Sequence, residues 1–314
     1  MDRFEAMRTL VAAVDGGSLS AASRTLNVPL PTVSRRVSDL EAMLGSQLVI
    51  RTSRKLHLTE SGNAYVASAR RVLEELAEAE RAASGEYRAP RGELLVTAPI
   101  LFGTLNVAPI IHHFLSAYSD VSVRLVLSDG IIDLTESHVD VAVRIGFLPD
   151  STLVARRAGE IDWVVCASPD YLRRHGEPAM PAELRDHNCI AFEGLQRHRE
   201  WPFVDPNDGK QLVTINPRFS VNTASGVAEG AVAGLGIARL LSYQAAACVG
   251  QGSLIPILSR FAPPAIPVQL VVGAQQQQPL KVRAFLDFVL PRLQQRLKDI
   301  KHVYAGIKER REQT

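Results

Sequence analysis

The sequence predicts an α+β chain of several domains: a small N-terminal winged helix-turn-helix, a long linker helix, and a larger α/β region in two lobes. Three observations predict it. Residues 18–55 read as a short helix, a tight turn, a second helix and a basic hairpin. Residues 65–83 repeat small and apolar side chains with a heptad period. Beyond Gly92, apolar strand-like runs alternate with helical patterns. The 314 residues, 46% apolar and 22% charged, have an ordinary globular composition and suffice for two or three domains.

Helix one carries Phe4, Met7, Val11 and Val14 on one face and ends at Gly16-Gly17. Ser20 is read as the N-cap of helix two, which buries Ala21, Ala22 and Leu26. Asn27-Val28-Pro29 ends that helix. Pro31 suits the first turn of helix three, where its missing N–H is no loss. In helix three Val33, Val37, Leu40 and Leu44 share a face, so Arg35 points away from the core with Pro31, Thr32 and Ser38 beside it. Ser34 and Arg36 lie on the flanks, and Asp39 and Glu41 come only in later turns. A leading half without carboxylates is what insertion beside phosphates requires. Gly45 ends the helix, and residues 48–51 and 56–59 read as strands joined by a cationic tip, Thr52-Ser53-Arg54-Lys55. His57 reads as a surface residue of the second strand.

Between positions 24 and 57 six basic residues (Arg24, Arg35, Arg36, Arg51, Arg54, Lys55) face two acidic ones, whereas the whole chain is only +2, so the nucleic-acid signal is local. The candidate contacts to DNA are Ser20, Pro31, Thr32, Ser34, Arg35, Arg36, Arg51, Ser53, Arg54 and Lys55. Pro31, Thr32, Ser34 and Arg35 are expected at base edges or adjoining phosphates. The remaining cations and Ser53 are expected on phosphates or in the minor groove.

Tyr65, Ala69, Val72, Leu76, Ala79 and Ala83 recur at spacings of 4 and 3, the seam of a coiled coil, so a second copy of the chain is the expected partner. Glu86–Gly92 reads as a hinge. Strands are expected at Leu94–Ala98, Val121–Leu127, Val139–Ile145, Trp163–Ala167, Ile190–Phe192, Leu212–Val221, Gly236–Leu240, Leu254–Leu258 and Val268–Val272, in mostly parallel sheets with ligand at the strand carboxyl ends. The expected boundaries are 1–59 for the winged unit (motif about 18–38, wing 48–59), 60–85 for the linker helix, 86–92 for the hinge, and 93–297 for the two-lobed domain. Lobe I takes 93–164 and 267–297, lobe II takes 165–266, and 298–314 form a basic tail.

No run is expected to reach the ~18 to 20 apolar residues of a membrane span, and Met1-Asp2-Arg3-Phe4-Glu5 reads as a helix start rather than a signal peptide. Cys166, Cys189 and Cys248 are far apart and lack metal-ligand spacing, which fits a reduced, cytoplasmic setting without metal or cofactor. Catalytic patterns are missing too. Gly234-x-Gly236 lacks the third glycine of a dinucleotide loop, and His112-His113, being adjacent, cannot share a helix face. No nucleophile elbow occurs.

The chain resembles the LysR-type transcriptional regulators over nearly its whole length. The likeness rests on Ser18-Leu19-Ser20-Ala21-Ala22, Val33-Ser34-Arg35-Arg36-Val37, Leu40–Gly45, Arg51–Arg54 and Leu58-Thr59-Glu60-Ser61-Gly62 in the N-terminal part. Asp140–Gly146, Ala167–Leu172, Leu184–His187 and Gly234–Ala238 carry it in the C-terminal part. The effector half is most similar to the subgroup with a Val143-Arg144-Ile145-Gly146 strand end. The resemblance implies homodimers or homotetramers on pseudo-palindromic promoter DNA and a periplasmic-binding-protein-like domain whose inter-lobe cleft takes a small effector. It also leaves room for contact with RNA polymerase. Two positions depart from the family pattern. Leu30 stands where glutamine or serine is frequent, so this position can touch a thymine methyl but cannot read a hydrogen-bonding edge. Ser242 stands where proline usually follows the glycine motif.

The effector candidates sit at strand ends: Pro99, Ile100 and Leu101 in the first loop, Arg144 and Gly146, Phe192, and Asn222, Thr223 and Ser225 at a helix start. An apolar first loop and a single arginine suggest a hydrophobic or aromatic ligand with one anionic group. Two other functions fit less of the sequence: a solute-binding module whose N-terminal unit serves assembly only, and a redox sensor acting through Cys166 and Cys189.

Overall fold

The structure is a computed structural model that describes residues 2–51, 56–83, 89–130, 139–148, 153–193, 199–207, 209–273 and 278–312. It divides into two compact units, Met1–Ala89 and Pro90–Thr314.

The first unit begins with α1 (Arg3–Asp15), capped by the Asp2 carboxylate, whose Oδ1 accepts from the Phe4 N–H at 2.9 Å. The buried face of α1 is Ala6, Thr9, Leu10 and Ala13, not the expected Phe4–Val14 stripe, and Phe4 is 45% exposed. Small alanines on that face let α1 lie close against its neighbours. Helix α2 (Leu19–Leu26) is capped by Ser18 rather than by Ser20: Ser18 Oγ accepts from the Ala21 N–H at 3.1 Å, and Ser20 is exposed inside the helix. Only Ala22 of α2 is buried; Ala21 and Leu26 are half-buried. Asn27 takes the left-handed conformation that ends α2, and α3 (Leu30–Leu44) follows with Pro31 in its first turn. Val33, Val37 and Leu40 are buried, but Leu44 is exposed, so the packed stripe stops one turn short of expectation.

Strands β1 (Val49–Arg51) and β2 (Leu56–Leu58) pair antiparallel, as expected of a wing. Two long-range contacts seat this hairpin. Glu41 Oε1 accepts from the buried Leu48 and Val49 N–H groups at 2.7 and 3.0 Å. Thr59 Oγ1 donates to the Gln47 carbonyl at 2.7 Å and accepts from the Gly62 N–H at 2.9 Å at the start of α4 (Glu60–Ala83). Gly62 passes so near the hairpin that a Cβ there would lie 2.0 Å from the Leu48 carbonyl oxygen, so no larger residue fits.

In the second unit the chain builds two five-stranded sheets. In order come β3 (Gly92–Ala98), α5 (Ile100–Phe102), a π-helical turn (Gly103–Val107), α6 (Ala108–Ala117), β4 (Val121–Leu127), β5 (Val141–Ile145) and β6 (Val154–Ile161). Then follow β7 (Trp163–Ala167), α7 (Pro169–His175), a 3-10 turn (Pro181–Asp186), β8 (Cys189–Phe192), β9 (Glu200–Asp205), β10 (Gly209–Thr214) and β11 (Pro217–Val221). The unit ends with α8 (Ala224–Val232), β12 (Ile237–Leu241), α9 (Ser242–Gly250), β13 (Ile255–Ile257), β14 (Ile266–Val272) and α10 (Leu280–Glu312).

The sheets run β4-β3-β5-β14-β6 and β11-β8-β12-β7-β13, with β9 and β10 as a separate hairpin. Each sheet has two parallel and two antiparallel pairings, which corrects the expectation of mostly parallel sheets. The cause is the chain path. The chain leaves the first sheet through Asp162, between β6 and β7, and returns between β13 and β14, and those strands join antiparallel. The single strand expected at Leu212–Val221 is two strands, broken at Ile215-Asn216 before Pro217, and β6 and β9 lie outside the expected set.

Sheet one packs on α6 and α10 through Leu94, Val96, Phe102, Phe114, Phe285 and Val289. Sheet two buries a cluster on each face. The helical stretch Ile100–Ala117 is long and apolar enough to cross a membrane by composition, contrary to the sequence reading, yet its Phe102, Val107, Ile110, Ile111 and Phe114 are core residues of the first sheet. Residues 298–312, expected as a tail, continue α10, where Val303 and Tyr304 pack against the second sheet.

Candidate nucleic-acid interface and effector cleft

On α3, Pro31 and Arg35 are exposed, Thr32 and Ser34 are half-buried beside them, and Leu30 opens the helix with 42% of its surface in solvent. No carboxylate lies in this leading half, and Glu41, farther along, is spent on the hairpin. Arg36 separates from the group. Its guanidinium turns to α1, pairing with Glu5 Oε2 at 3.0 Å and donating to Thr9 Oγ1 at 3.5 Å, so it is held within the fold. Arg51 ends β1, with its side chain outside the described residues, as are Ser53, Arg54 and Lys55 entirely. Arg36 could not be told from Arg35 by charge alone; the signal was Glu5, one face of α1 away.

The seam of α4 is divided. Ala69 is buried and Tyr65 half-buried against the core of their own unit, and burial pushes the Tyr65 phenol above its usual pKa. Val72 and Leu76 are half-buried, Ala79 is exposed, and the side chain of Ala83 lies outside the described residues. Arg70, on the outer face, is paired with Asp15 of α1.

The effector candidates fall into two groups. Because β4 and β5 both run parallel to β3, Ala98, Leu127 and Ile145 end on one edge of the first sheet. That edge therefore carries Pro99–Leu101, Asp129 and Arg144–Gly146. Parallel pairing of β8 and β11 likewise places Phe192 beside Val221, so Phe192 and Asn222–Ser225 share an edge of the second sheet. Phe192 is 46% exposed, and Asn222, Thr223 and Ser225 are exposed, with Thr223 capping α8 through the Gly226 N–H at 3.3 Å.

Several of these groups are already engaged. The Ile100 N–H donates to Asp129 Oδ1 at 3.0 Å, so the first loop amide has a carboxylate partner. Gly146 adopts φ +130°, a conformation that favours glycine; its N–H donates to the Pro267 carbonyl at 2.9 Å, and its own carbonyl accepts from Gln269 Nε2 at 3.1 Å. Gly146 thus locks β5 to β14. Arg144 stands across from Gln269, and burial lowers its pKa.

Sequence reasoning missed Asp129, Tyr243 and Gln244. Tyr243, at the start of α9, reaches the core of the first sheet and meets Phe102 edge-on at 5.0 Å, while Leu101 touches clusters of both sheets. Gln244 Nε2 donates to the Tyr243 hydroxyl at 3.1 Å, and burial pushes that phenol up to about 12. The one available signal was Ser128-Asp129-Gly130, a turn at a strand's carboxyl end.

Residues 4–63 match the family described as bacterial regulatory helix-turn-helix protein, lysR family, and residues 88–294 match the LysR substrate binding domain. The chain belongs to the LysR family. It is 34% identical over 290 residues to an HTH-type transcriptional regulator of Xanthomonas campestris, covering 90% of this chain and 83% of that one. It is 33% identical to CrgA of Neisseria meningitidis, covering 92% of this chain and 96% of the relative. The solved structure of CrgA superposes with a TM-score of 0.60, over 92% of this chain and 98% of that one. Full-length AphB of Vibrio cholerae, described as a virulence activator, superposes with a TM-score of 0.59 at 28% identity, over 91% and 98% of the two chains. This LysR-type protein is therefore a DNA-binding transcriptional regulator with a C-terminal effector-binding domain, in a family of oligomeric regulators that are not enzymes.

Proposed function

We propose that this regulator reads promoter DNA through α3, with Arg35 hydrogen-bonding a base edge while Pro31, Thr32 and Ser34 fit against the groove wall. The observation that carries this reading is a solvent-facing, carboxylate-free leading half of α3 with Arg35 at its centre. Ser20 on α2 and the wing residues Arg51, Ser53, Arg54 and Lys55 would grip phosphates, and Arg36 would hold α3 in place through Glu5. Two copies would pair through Val72, Leu76, Ala79 and Ala83, with a further pairing of dimers. The setting we infer is the cytoplasm, beside the chromosome and RNA polymerase.

The effector would lie between the two sheet edges, over Ile100, Leu101 and Phe192, with its anionic group toward Arg144. Asp129 already accepts the first loop amide, which leaves Arg144 as the better anion partner. The test of the DNA reading compares Arg35→Ala and Lys55→Ala on matched and mismatched operators across salt. Arg35→Ala should cost about 1–3 kcal/mol and relax preference at one base pair. Lys55→Ala should weaken all sequences alike and reduce the salt slope by about one. Identical behaviour of the two variants would overturn the assignment.

A further inference from the structure

The leading end of α3 is apolar on its outside. Pro29, Leu30 and Pro31 are consecutive and all exposed, and none of the three belongs to the buried clusters of the first unit. A single exposed leucine is ordinary, but packing does not explain three adjoining apolar residues at the tip of the reading helix.

The tip is also short of hydrogen-bonding groups. Pro29 holds the N-cap position without a side-chain cap, and the N–H groups of Thr32 and Val33 both turn to its carbonyl, at 2.9 and 3.1 Å. Pro29 and Pro31 have no N–H of their own. The tip is therefore poorly equipped to hold a phosphate or to read a polar base edge. It is rigid as well. Val28 packs on the small cluster of Ala13, Ala22 and Val33, and Ser23 fixes it twice. The Val28 N–H donates to the Ser23 carbonyl at 3.1 Å, and the Val28 carbonyl accepts from Ser23 Oγ at 2.7 Å. The two prolines fix their own φ, so a contact made by this tip loses little chain entropy.

Pro31 and Arg35 are four apart and so neighbours on α3, as are Leu30 and Ser34, which makes the apolar tip continuous with the polar reading face. In the major groove the apolar feature of a base pair is the C5-methyl group of thymine. We propose that Leu30, flanked by Pro29 and Pro31, reads the C5-methyl group of a thymine in the operator. The proposal rests on α3 being the reading helix. It makes binding responsive to cytosine methylation: cytosine in place of that thymine removes the methyl, and 5-methylcytosine returns it to the same place in the groove.

The test uses the full-length chain and an operator that it selects from random duplex DNA, with each thymine replaced in turn by uracil. Uracil keeps the hydrogen-bonding edges and lacks only the methyl. At one thymine in each half-site affinity should fall roughly fourfold, the worth of one buried methyl group. With cytosine at that position, C5 methylation should raise affinity by a similar factor. Leu30→Ala should bring the ratio of thymine to uracil affinity there to about one, and Leu30→Gln should do the same while changing the preferred base. The ratio is taken within each variant, so a general loss of stability or of phosphate contacts cancels from it. Uracil tolerated at every thymine, while Arg35→Ala still relaxes one position, would overturn this inference and leave the reading by α3 standing. Discrimination that survives in Leu30→Ala would overturn it too. Failure of the selection to return any sequence would overturn both.

Discussion

Glu41 gives the sharpest prediction about how the reading head is built. Its Oε1 accepts two main-chain N–H groups, from Leu48 at 2.7 Å and Val49 at 3.0 Å, and both residues are 1% exposed. Replacing Glu41 with alanine strands both donors away from water. A buried, unsatisfied donor costs about 1–3 kcal/mol, and partial entry of water lowers the sum, so about 2–4 kcal/mol is expected for opening the hairpin. At about 1.4 kcal/mol per decade, exchange protection of the Leu48 and Val49 amides should fall roughly thirty- to several-hundred-fold. Glu41→Gln keeps an acceptor oxygen and loses only the charge assistance, so it should fall between the two. Native-state hydrogen exchange on the full chain reads both amides directly. Unchanged protection of the pair in Glu41→Ala would refute the reasoning, because the hairpin would then be held by something else.

Gly62→Ala forces a Cβ to within 2.0 Å of the Leu48 carbonyl oxygen, a backbone atom that cannot step aside. It should cost about 1–3 kcal/mol or more in thermal unfolding and weaken operator binding with it. The thiols of Cys166 and Cys189 are pushed up to about 12 by burial, so they stay protonated below that pH and unreactive at pH 8. Iodoacetamide on the native chain should therefore label the half-buried Cys248 first, as read by mass spectrometry; labelling of Cys189 at the rate of Cys248 would contradict this.

The helices of the reading head were legible because their information is local. Asn27, Pro31 and Gly45 punctuate them, and Val33, Val37 and Leu40 repeat at the helical period. What depended on contact between elements was not. The face of α1 was set by which alanines admit neighbours, and Ser18 rather than Ser20 took the cap because the helix begins two residues earlier than the serine pattern suggested. Arg36 and Arg35 look alike in sequence until Glu5 claims one of them. Strand β6 was hidden because its leading residues, Val154-Ala155-Arg156-Arg157, are all exposed and run two apolar then two charged, leaving no alternation to read. In the cleft the strand ends themselves were visible, but Asp129 meets Ile100 across 29 positions, and Tyr243 reaches Phe102 from the other half of the domain. Tertiary pairings of that kind carry no local period.

The most direct measurement is selection of operators from random duplex DNA by the full-length regulator. A paired reader should enrich an interrupted palindrome whose half-sites lie about 34–36 Å apart or a multiple of that, on one face of the duplex. Selection with Arg35→Ala should return the same palindrome with one position in each half-site relaxed. Enrichment of a single unpaired site, or of no sequence at all, would contradict the account.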